Sequence, residues 1–252
     1  MENHSLLQIF DVIKTKEFVD LTHAFDRNIP HWPGYPEEEI KTIFYHDEGV
    51  GSLGHGFFAQ QINIVTQWGT HIDTPNHFHR GARSLEQINV KELLCPLAVL
   101  DIHEQVKTNP DYVVTLADLE AWEKKHGPIP REAFVALRTD WSKRWPDKDQ
   151  FKNVGVDGVP HSPGWSMEVL KFLCEERHVT AVGHETTDTD PGFLSSKGDF
   201  RGESYVLEKD IYQIEMLTNL DQLPEWGALI VVGFPKAKGA PGFPVRAYAI
   251  LP

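Results

Sequence analysis

Residues 67–79 concentrate the residue types that bind metal ions, and they constrain the fold more than any other part of the chain. The segment reads Gln-Trp-Gly-Thr-His-Ile-Asp-Thr-Pro-Asn-His-Phe-His. Side chains two residues apart in a β-strand project to the same face. An extended strand here would place four residues on one face, with the glycine leaving room for an ion: Gln67, Gly69, His71 and Asp73. Oxygen and nitrogen ligands that converge in this way predict a metal site.

The alternative interpretation is a polar strand edge with incidental histidines. For an isolated His-x-Asp pair we would favour that alternative. The pattern continues, however, because Pro75 is expected to end the strand and His77 follows it on a turn. The longer pattern favours the metal site over the polar edge.

Residues 69–77, Gly-Thr-His-Ile-Asp-Thr-Pro-Asn-His, resemble the signature of the cyclase family of metal-dependent hydrolases, which includes bacterial kynurenine formamidases and isatin hydrolases. The family motif begins with a histidine two residues before the glycine, where this chain has Gln67. Five further segments resemble the family in the same order along residues 17–252: Leu-Thr-His at 21–23, Ile-Pro-His-Trp-Pro-Gly at 29–34, Leu-Arg-Thr at 137–139, Thr-Asp-Thr-Asp-Pro at 187–191 and Phe-Pro-Val-Arg-Ala at 243–247.

The chain of 252 residues is long enough to bury one sizeable core, and no linker, repeat or low-complexity tract divides it. With 40% apolar and 24% charged residues, its composition is that of an ordinary globular protein. Strand and helix patterns are mixed along the sequence, so we expect a single α/β domain over residues 1–252. The family resemblance implies a more specific architecture, a swivelling β/α/β fold with a mixed, barrel-like central sheet.

Short apolar runs predict five strands, at residues 57–66, 97–101, 134–138, 179–182 and 228–232. The last run is continuous, which is typical of a strand buried on both faces. Caps delimit two helices. Thr115 and Asp118 form a capping-box pattern that opens a helix ending near Gly127. Ser166 is placed to cap a second helix over residues 167–177, which carries an apolar face.

Charge and cysteine content limit the partners and the placement of the protein. The formal net charge of −13 argues against nucleic acid or an anionic membrane as a partner, because both would repel the chain. No segment approaches the ~20 consecutive apolar residues of a spanning helix, and the N-terminal sequence lacks the pattern of a secretory signal. Cys95 and Cys174 lie in apolar surroundings and predict buried free thiols. We expect a cytoplasmic enzyme acting on a small molecule, and family relatives imply a homodimer or homotetramer.

The resemblance implies roles for the residues of the first motif. His71 and Asp73 would bind a divalent metal ion, and Gln67 occupies the remaining ligand position. An amide oxygen binds metal more weakly than an imidazole and makes the site richer in oxygen, which favours Mn²⁺ and leaves Zn²⁺ as the alternative. His77 would act as general acid and base, a task that suits an imidazole. A ligand or a structural hydrogen bond is the alternative role for His77.

The resemblance also implies that distant acidic residues complete the site. Glu215 matches a family glutamate that bridges metal ions, and Glu203 stands twelve residues upstream, where a dinuclear member carries a histidine. With Asp73 they would bring three negative charges, more than one divalent ion balances. Either a second ion binds or Glu203 points elsewhere, for example toward Arg201; we favour one ion. Trp32 matches an aromatic residue that lines the family's substrate site and can stack on a planar ring.

The chemistry that these groups support is hydrolysis by a metal-activated water, with His77 taking up a proton and returning it to the leaving group. No Gly-x-Ser-x-Gly or His-Glu-x-x-His pattern occurs, which removes the commonest serine-hydrolase and metalloprotease mechanisms. The resemblance implies a small amide, lactam or lactone on an aromatic ring as substrate, such as an aryl formamide or isatin. Two alternatives stay open: a metal-dependent cyclase or lyase acting on an oxygenated carbon chain, and a binding protein without a catalytic metal.

Overall fold

The computed structural model describes residues 5–46 and 56–252. Residues 1–4, on which the expectation about a secretory signal partly rests, lie outside that part. The strands in it are β1 Phe18–Asp20, β2 Glu39–Phe44, β3 Ala59–Asn63, β4 His71–Asp73, β5 Leu94–Asp101, β6 Val113–Val114, β7 Phe134–Arg138, β8 Gly164–Trp165, β9 Ala181–His184, β10 Tyr212–Glu215, β11 Trp226–Gly233, β12 Gly242–Pro244 and β13 Arg246–Ile250. The helices are α1 Leu6–Ile13, α2 His103–Thr108, α3 Leu116–His126, α4 Lys148–Lys152, α5 Met167–Lys171, α6 Gly192–Ser195 and α7 Arg201–Glu208.

A nine-stranded sheet forms the centre of the structure, in the order β1-β13-β11-β5-β7-β9-β10-β4-β12. Strands β5, β7, β9 and β10 run parallel, whereas the other neighbours in this sheet are antiparallel. The sheet is therefore mixed, and it curls into a half-barrel. The expected α/β fold with a mixed, barrel-like central sheet is confirmed. Strands β2 and β3 form a separate two-stranded sheet.

Consecutive residues of β7 alternate between two hydrophobic cores, one on each face of the sheet. Val135 and Leu137 pack in the core that includes Leu119 of α3 and Leu170 of α5. Phe134 packs in the second core, which lies on the opposite face of the sheet and consists mainly of strand residues. Each fully buried Leu, Val or Phe side chain stabilises the fold by roughly 1.5–3 kcal/mol relative to an exposed one. This double burial explains why residues 134–137 of β7 form a continuous apolar run.

The capping patterns set the helix boundaries as the sequence predicts. Thr115 and Asp118 form a reciprocal capping box at the start of α3, and Gly127 ends that helix with a φ of +86°. The Ser166 hydroxyl accepts the backbone N–H of Val169 at 3.2 Å, which caps α5. The predicted helix over residues 167–177 is present, but its second half, Phe172–Arg177, is a π-helix.

Two strand predictions are wrong in detail. The apolar run at residues 228–232 lies in β11, where buried residues alternate with partly exposed ones, so this strand is not buried on both faces. Strands β5 and β13 pair along its two edges, and Leu229 and Val231 are only partly buried on one face. The strand predicted over residues 57–66 is shorter, because β3 covers only Ala59–Asn63 and then ends before the metal-site motif.

The metal-site motif is less extended than its alternating pattern predicts. Only His71–Asp73 form a strand, and Gly69 has a φ of +64°, in the left-handed region that favours glycine. Gln67 therefore does not share one continuous strand face with His71. The room at Gly69 is needed for a side chain rather than an ion, because a Cβ there would lie 3.1 Å from Cβ of Phe25. As predicted, the strand ends before Pro75, and His77 lies on the turn Pro75–His77.

The structure bears on two expectations from the sequence, one about the cysteines and one about membrane-spanning helices. Cys95 and Cys174 are both buried and free, as predicted. Among the helices in residues 5–46 and 56–252, none combines the length and apolar character needed to cross a bilayer.

Candidate metal centre

Three buried side chains converge where β4 pairs with β10. Glu215 lies directly opposite His71 in the antiparallel register, and Asp73 lies two residues further along the same face of β4. Nε2 of His71 is 3.5 Å from Oδ2 of Asp73 and 3.4 Å from Oε2 of Glu215. One ligand atom from each residue falls within 4.8 Å of the others, as a shared metal ion requires.

A second group of ligand atoms adjoins the first and shares Asp73. It adds His77, from the turn after β4, and Glu203, from α7. Nε2 of His77 lies 3.9 Å from Oδ1 of Asp73 and 3.9 Å from Oε1 of Glu203. The alternative in which Glu203 points toward Arg201 is wrong, because Arg201 pairs with Asp199 and Glu203 is buried facing the site.

Gln67 lies at the edge of both groups with its amide nitrogen turned inward. Nε2 of Gln67 donates to Oδ1 of Asp73 at 3.2 Å and lies 3.4 Å from Nδ1 of His77. Its oxygen Oε1 faces the other way and accepts the hydroxyl of Thr66 at 2.6 Å. In this rotamer Gln67 contacts the ligand residues but does not present its oxygen to an ion.

Gln213 is a central residue of the site that the sequence analysis missed. Its fully buried amide nitrogen lies 3.0 Å from carboxylate oxygens of Glu203 and Glu215 and 3.2 Å from Oδ2 of Asp73. The Thr189 hydroxyl donates to the amide oxygen of Gln213 at 2.6 Å and fixes its orientation. Gln213 precedes Glu215 by two positions on one strand, so the alternation of β10 was the signal that could have found it.

The electrostatics of the site favour a bound cation. Burial raises the pKa of Glu203 and Glu215 well above the usual range, and the neighbouring carboxylates raise it further. Burial also raises the pKa of Asp188 to about 6. Among the described residues, no lysine or arginine lines this cavity. Buried carboxylates without a compensating cation are unfavourable, and a divalent ion would remove that cost. The imidazole and carboxylate donors therefore fit such an ion.

The ligand residues open into a cavity of about 420 Å³ with aromatic walls. Trp32 lines it and contacts Tyr35 edge-on, with 5.1 Å between ring centroids. The backbone of Gly34 lies against the Trp32 ring so closely that a Cβ would overlap it. Trp32 is 45% exposed, which places it at the cavity wall rather than in the core. A neighbouring cavity of about 780 Å³ shares five lining residues with the first: His31, Trp32, Thr187, Asp188 and Phe200.

Two further histidines, His79 and His184, lie beside the ligand residues. Nε2 of His79 contacts the backbone oxygen of Ser204 in α7 at 2.7 Å, which ties the motif to the helix that carries Glu203. His184 is buried at the end of β9, and its Nε2 lies 3.4 Å from Oε1 of Glu215. Burial lowers the pKa of His184 to about 3, so its ring is neutral.

Comparison with known proteins agrees with this geometry. The cyclase family model matches residues 19–191. The chain belongs to the cyclase family. The resemblance read from the motifs is thereby confirmed, and the fold is that of a family of metal-dependent hydrolases.

The similarity to individual members extends over nearly the whole chain. The isatin hydrolase of Roseibium aggregatum is 31% identical over 244 residues, which cover 94% of this chain and 92% of that protein. A kynurenine formamidase of Bacillus cereus is 26% identical over 243 residues, with 93% and 98% covered. The solved structure of isatin hydrolase A from Ralstonia solanacearum has a TM-score of 0.88 at 30% identity and covers 100% of this chain and 99% of its own. Like these relatives, the chain is a hydrolase of C–N bonds other than peptide bonds.

Proposed function

We propose that this protein hydrolyses a small amide or lactam attached to an aromatic ring, such as isatin or an aryl formamide. One observation carries the proposal: His71, Asp73 and Glu215 form a buried ligand group at the base of an aromatic-lined cavity of about 420 Å³. A cavity of this size accepts a bicyclic aromatic molecule. The similarity to an isatin hydrolase and a kynurenine formamidase supports the same substrate class.

A divalent cation held by His71, Asp73 and Glu215 would polarise the substrate carbonyl and ease the deprotonation of water. His77 extends from the turn after β4 into the same cavity and is 21% exposed, so its ring can exchange protons with substrate and water. We assign it the role of general base toward the attacking water and then of general acid toward the leaving nitrogen. A C–O bond forms as the C–N bond breaks, and the proton passes through His77 to the amine.

The other residues of the site hold these groups in place. Asp73 and Glu203 flank Nε2 of His77 at equal distances of 3.9 Å, which places the ring beside the ligand group. We propose that Trp32 stacks on the aromatic ring of the substrate and that Gln67 and Glu203 are outer ligands of the metal site. The oxygen-rich donor set favours Mn²⁺, with Zn²⁺ as the alternative. We propose one ion per chain: Glu203 faces the site, but burial and the neighbouring carboxylates raise its pKa well above the usual range, so a proton on Glu203 takes the place of a second ion.

The test is product analysis with Mn²⁺-loaded protein. Incubation with isatin or N-formylkynurenine should yield a ring-opened carboxylate or formate, each with uptake of one water, and His77→Ala should reduce kcat by about 10²–10⁴-fold. The His126→Ala variant is the matched control, because His126 contacts Glu225 and does not line the cavity. Water loss or isomerisation instead of water uptake would indicate a cyclase or lyase. Tight binding of these compounds without turnover would indicate a binding protein.

We propose that the protein acts as a homodimer or homotetramer. Helix α1 has an apolar sequence, yet none of its residues is buried. Its Leu6, Leu7 and Phe10 side chains are 84%, 76% and 58% exposed. The β2–β3 sheet likewise exposes Ile40 and Ile62 at 49% each. Contiguous exposed apolar surface of this kind marks an interaction site. Family relatives suggest that a second copy of the chain covers this apolar surface.

Placement of the protein in the cytoplasm stays a prediction.

A further inference from the structure

His184 stands behind Glu215 with both ring nitrogens facing defined groups. The residue ends β9 and is 1% exposed. Nε1 of Trp165 lies 3.4 Å from Nδ1 of His184 and donates to it, whereas Nε2 of His184 faces Oε1 of Glu215 at 3.4 Å. Within the described residues Nε2 makes no hydrogen bond, and the contact with Oε1 falls just outside hydrogen-bond geometry, so this buried nitrogen is unpartnered and aimed at Glu215. His184 does not line the substrate cavity, so it has no direct contact with substrate.

The contact with Trp165 fixes the tautomer of the His184 ring. An indole N–H can only donate a hydrogen bond, and a neutral imidazole has one protonated and one unprotonated nitrogen. Nδ1 must therefore carry the lone pair that accepts from Trp165. The proton is then on Nε2, which directs an N–H group at Oε1 of Glu215. A protonated Nε2 cannot coordinate a metal ion.

The two oxygens of Glu215 have separate surroundings. Oε2 faces the imidazole of His71 at 3.4 Å, on the side of the ligand group. Oε1 accepts from Gln213 at 3.0 Å and also faces Nε2 of His184 at 3.4 Å. With Gln213 bonded to Oε1 and the His184 N–H aimed at the same oxygen, Oε2 is the oxygen directed toward a cation. Groups behind a ligand that fix its orientation in this way commonly alter metal affinity by 10–100-fold.

We propose that His184 is a positioning residue for Glu215: when a metal ion binds, the unpartnered Nε2–H of the neutral ring closes its 3.4 Å contact with Oε1 into a hydrogen bond and holds Oε2 toward the metal. This inference rests on the proposed metal site but not on the identity of the substrate. His184 is thus part of the support of the site rather than a metal ligand, a proton shuttle or a substrate contact. Trp165 acts one step further back, because it selects the tautomer.

The first test measures the affinity of the protein for Mn²⁺ by calorimetry, without any substrate. In His184→Gln the side-chain amide can place an N–H near the position of Nε2, and the affinity should stay within about threefold of wild type. The His184→Leu variant fills similar space without a donor and should bind Mn²⁺ about 10–100-fold more weakly. Equal affinity in the Gln and Leu variants would overturn the proposal, as would equal loss in both while circular dichroism shows each to be folded.

The second test reads the tautomer directly and covers the case in which the Leu variant does not fold. In ¹⁵N-labelled, metal-free protein, the His184 ring should show a protonated Nε2 and an unprotonated Nδ1, and Trp165→Phe should produce a mixture of tautomers. Protonation on Nδ1 in the wild type would overturn the proposal. These readouts do not involve turnover, so a protein that binds Mn²⁺ as described but hydrolyses none of the tested amides would refute the proposed function alone.

Discussion

The amide nitrogen of Gln67 donates to Oδ1 of Asp73 at 3.2 Å, so the residue that replaces a family histidine turns its nitrogen, not its oxygen, toward the site. For Gln67 to become a ligand, its amide must rotate and give up the 2.6 Å bond from Thr66. An imidazole at this position needs no such exchange and is the stronger ligand. We expect Gln67→His to raise the affinity for Mn²⁺ or Zn²⁺ about tenfold.

Calorimetric titration of both metals into wild type and Gln67→His measures this effect. Gln67→Asn is the matched control, because it keeps the amide and shortens its reach. An unchanged or lower affinity in the histidine variant would show that position 67 lies outside the coordination sphere.

Trp32 should determine how well aromatic substrates bind. The ring forms one wall of the cavity and is supported by the backbone of Gly34. Stacking would bind the planar substrate and its transition state equally well. Its loss therefore weakens substrate binding without slowing the chemical step. We predict that Trp32→Ala raises KM for isatin about tenfold and changes kcat less than threefold, whereas Trp32→Phe stays within about threefold in KM. Steady-state kinetics checks this, and a loss confined to kcat would assign Trp32 another role.

The stability of the fold should decrease as the pH falls below neutrality because of His23. His23 is partly buried, its Nε2 is shielded from solvent, and its ring stacks on Trp145 with 4.0 Å between centroids. Burial lowers the pKa of His23 from 6.5 to about 4. Between these values the unfolded state binds a proton that the folded state does not, so the stabilising contribution is complete above pH 6.5 and is lost as the pH falls toward 4. At pH 5 the expected loss is about 2 kcal/mol.

Urea unfolding of wild type and His23→Gln at pH 7 and pH 5 measures the contribution of His23 to the free energy of unfolding. The glutamine cannot titrate, so its free energy of unfolding should fall by about 2 kcal/mol less than that of wild type. Parallel pH dependence in the two proteins would mean that His23 is accessible to protons in the folded state.

Self-association should depend on the exposed apolar side of α1. We expect the 28.7 kDa chain to sediment as a dimer or tetramer, and the Leu7→Asp/Phe10→Asp double variant to shift toward monomer. Val90→Asp serves as the control, because Val90 is 79% exposed and belongs to neither α1 nor the β2–β3 sheet. Analytical ultracentrifugation distinguishes the species. A monomeric wild type at micromolar concentration would exclude this interface.

The sequence predicted the members of the site better than its geometry. His71, Asp73 and His77 follow from local spacing, and Glu215 and Glu203 follow from the family resemblance because they are too distant for any periodicity. The structure brings these five residues together. Local rules also located the caps at Thr115 and Ser166, since a capping bond depends on residues only three positions apart.

Other features depend on tertiary neighbours that a sequence pattern does not contain. The left-handed conformation of Gly69 serves the packing of Phe25, 44 residues away in the chain, so the motif could not be read as a plain strand. Gln213 contacts three carboxylates from three different segments, and a neutral amide gives no charge signal of its own. The half-covered face of β11 depends on which strands and helices pack beside it.

Metal content per chain, measured by elemental analysis of protein purified without added metal or chelator, tests the central claim most directly. The account predicts about one Mn or Zn per wild-type chain and almost none in His71→Ala, since that change removes the only imidazole of the ligand group with Asp73 and Glu215. The His126→Ala variant, whose imidazole contacts Glu225 outside the cavity lining, should retain the metal. Absence of metal from wild type even after supplementation, or full retention in His71→Ala, would contradict the account.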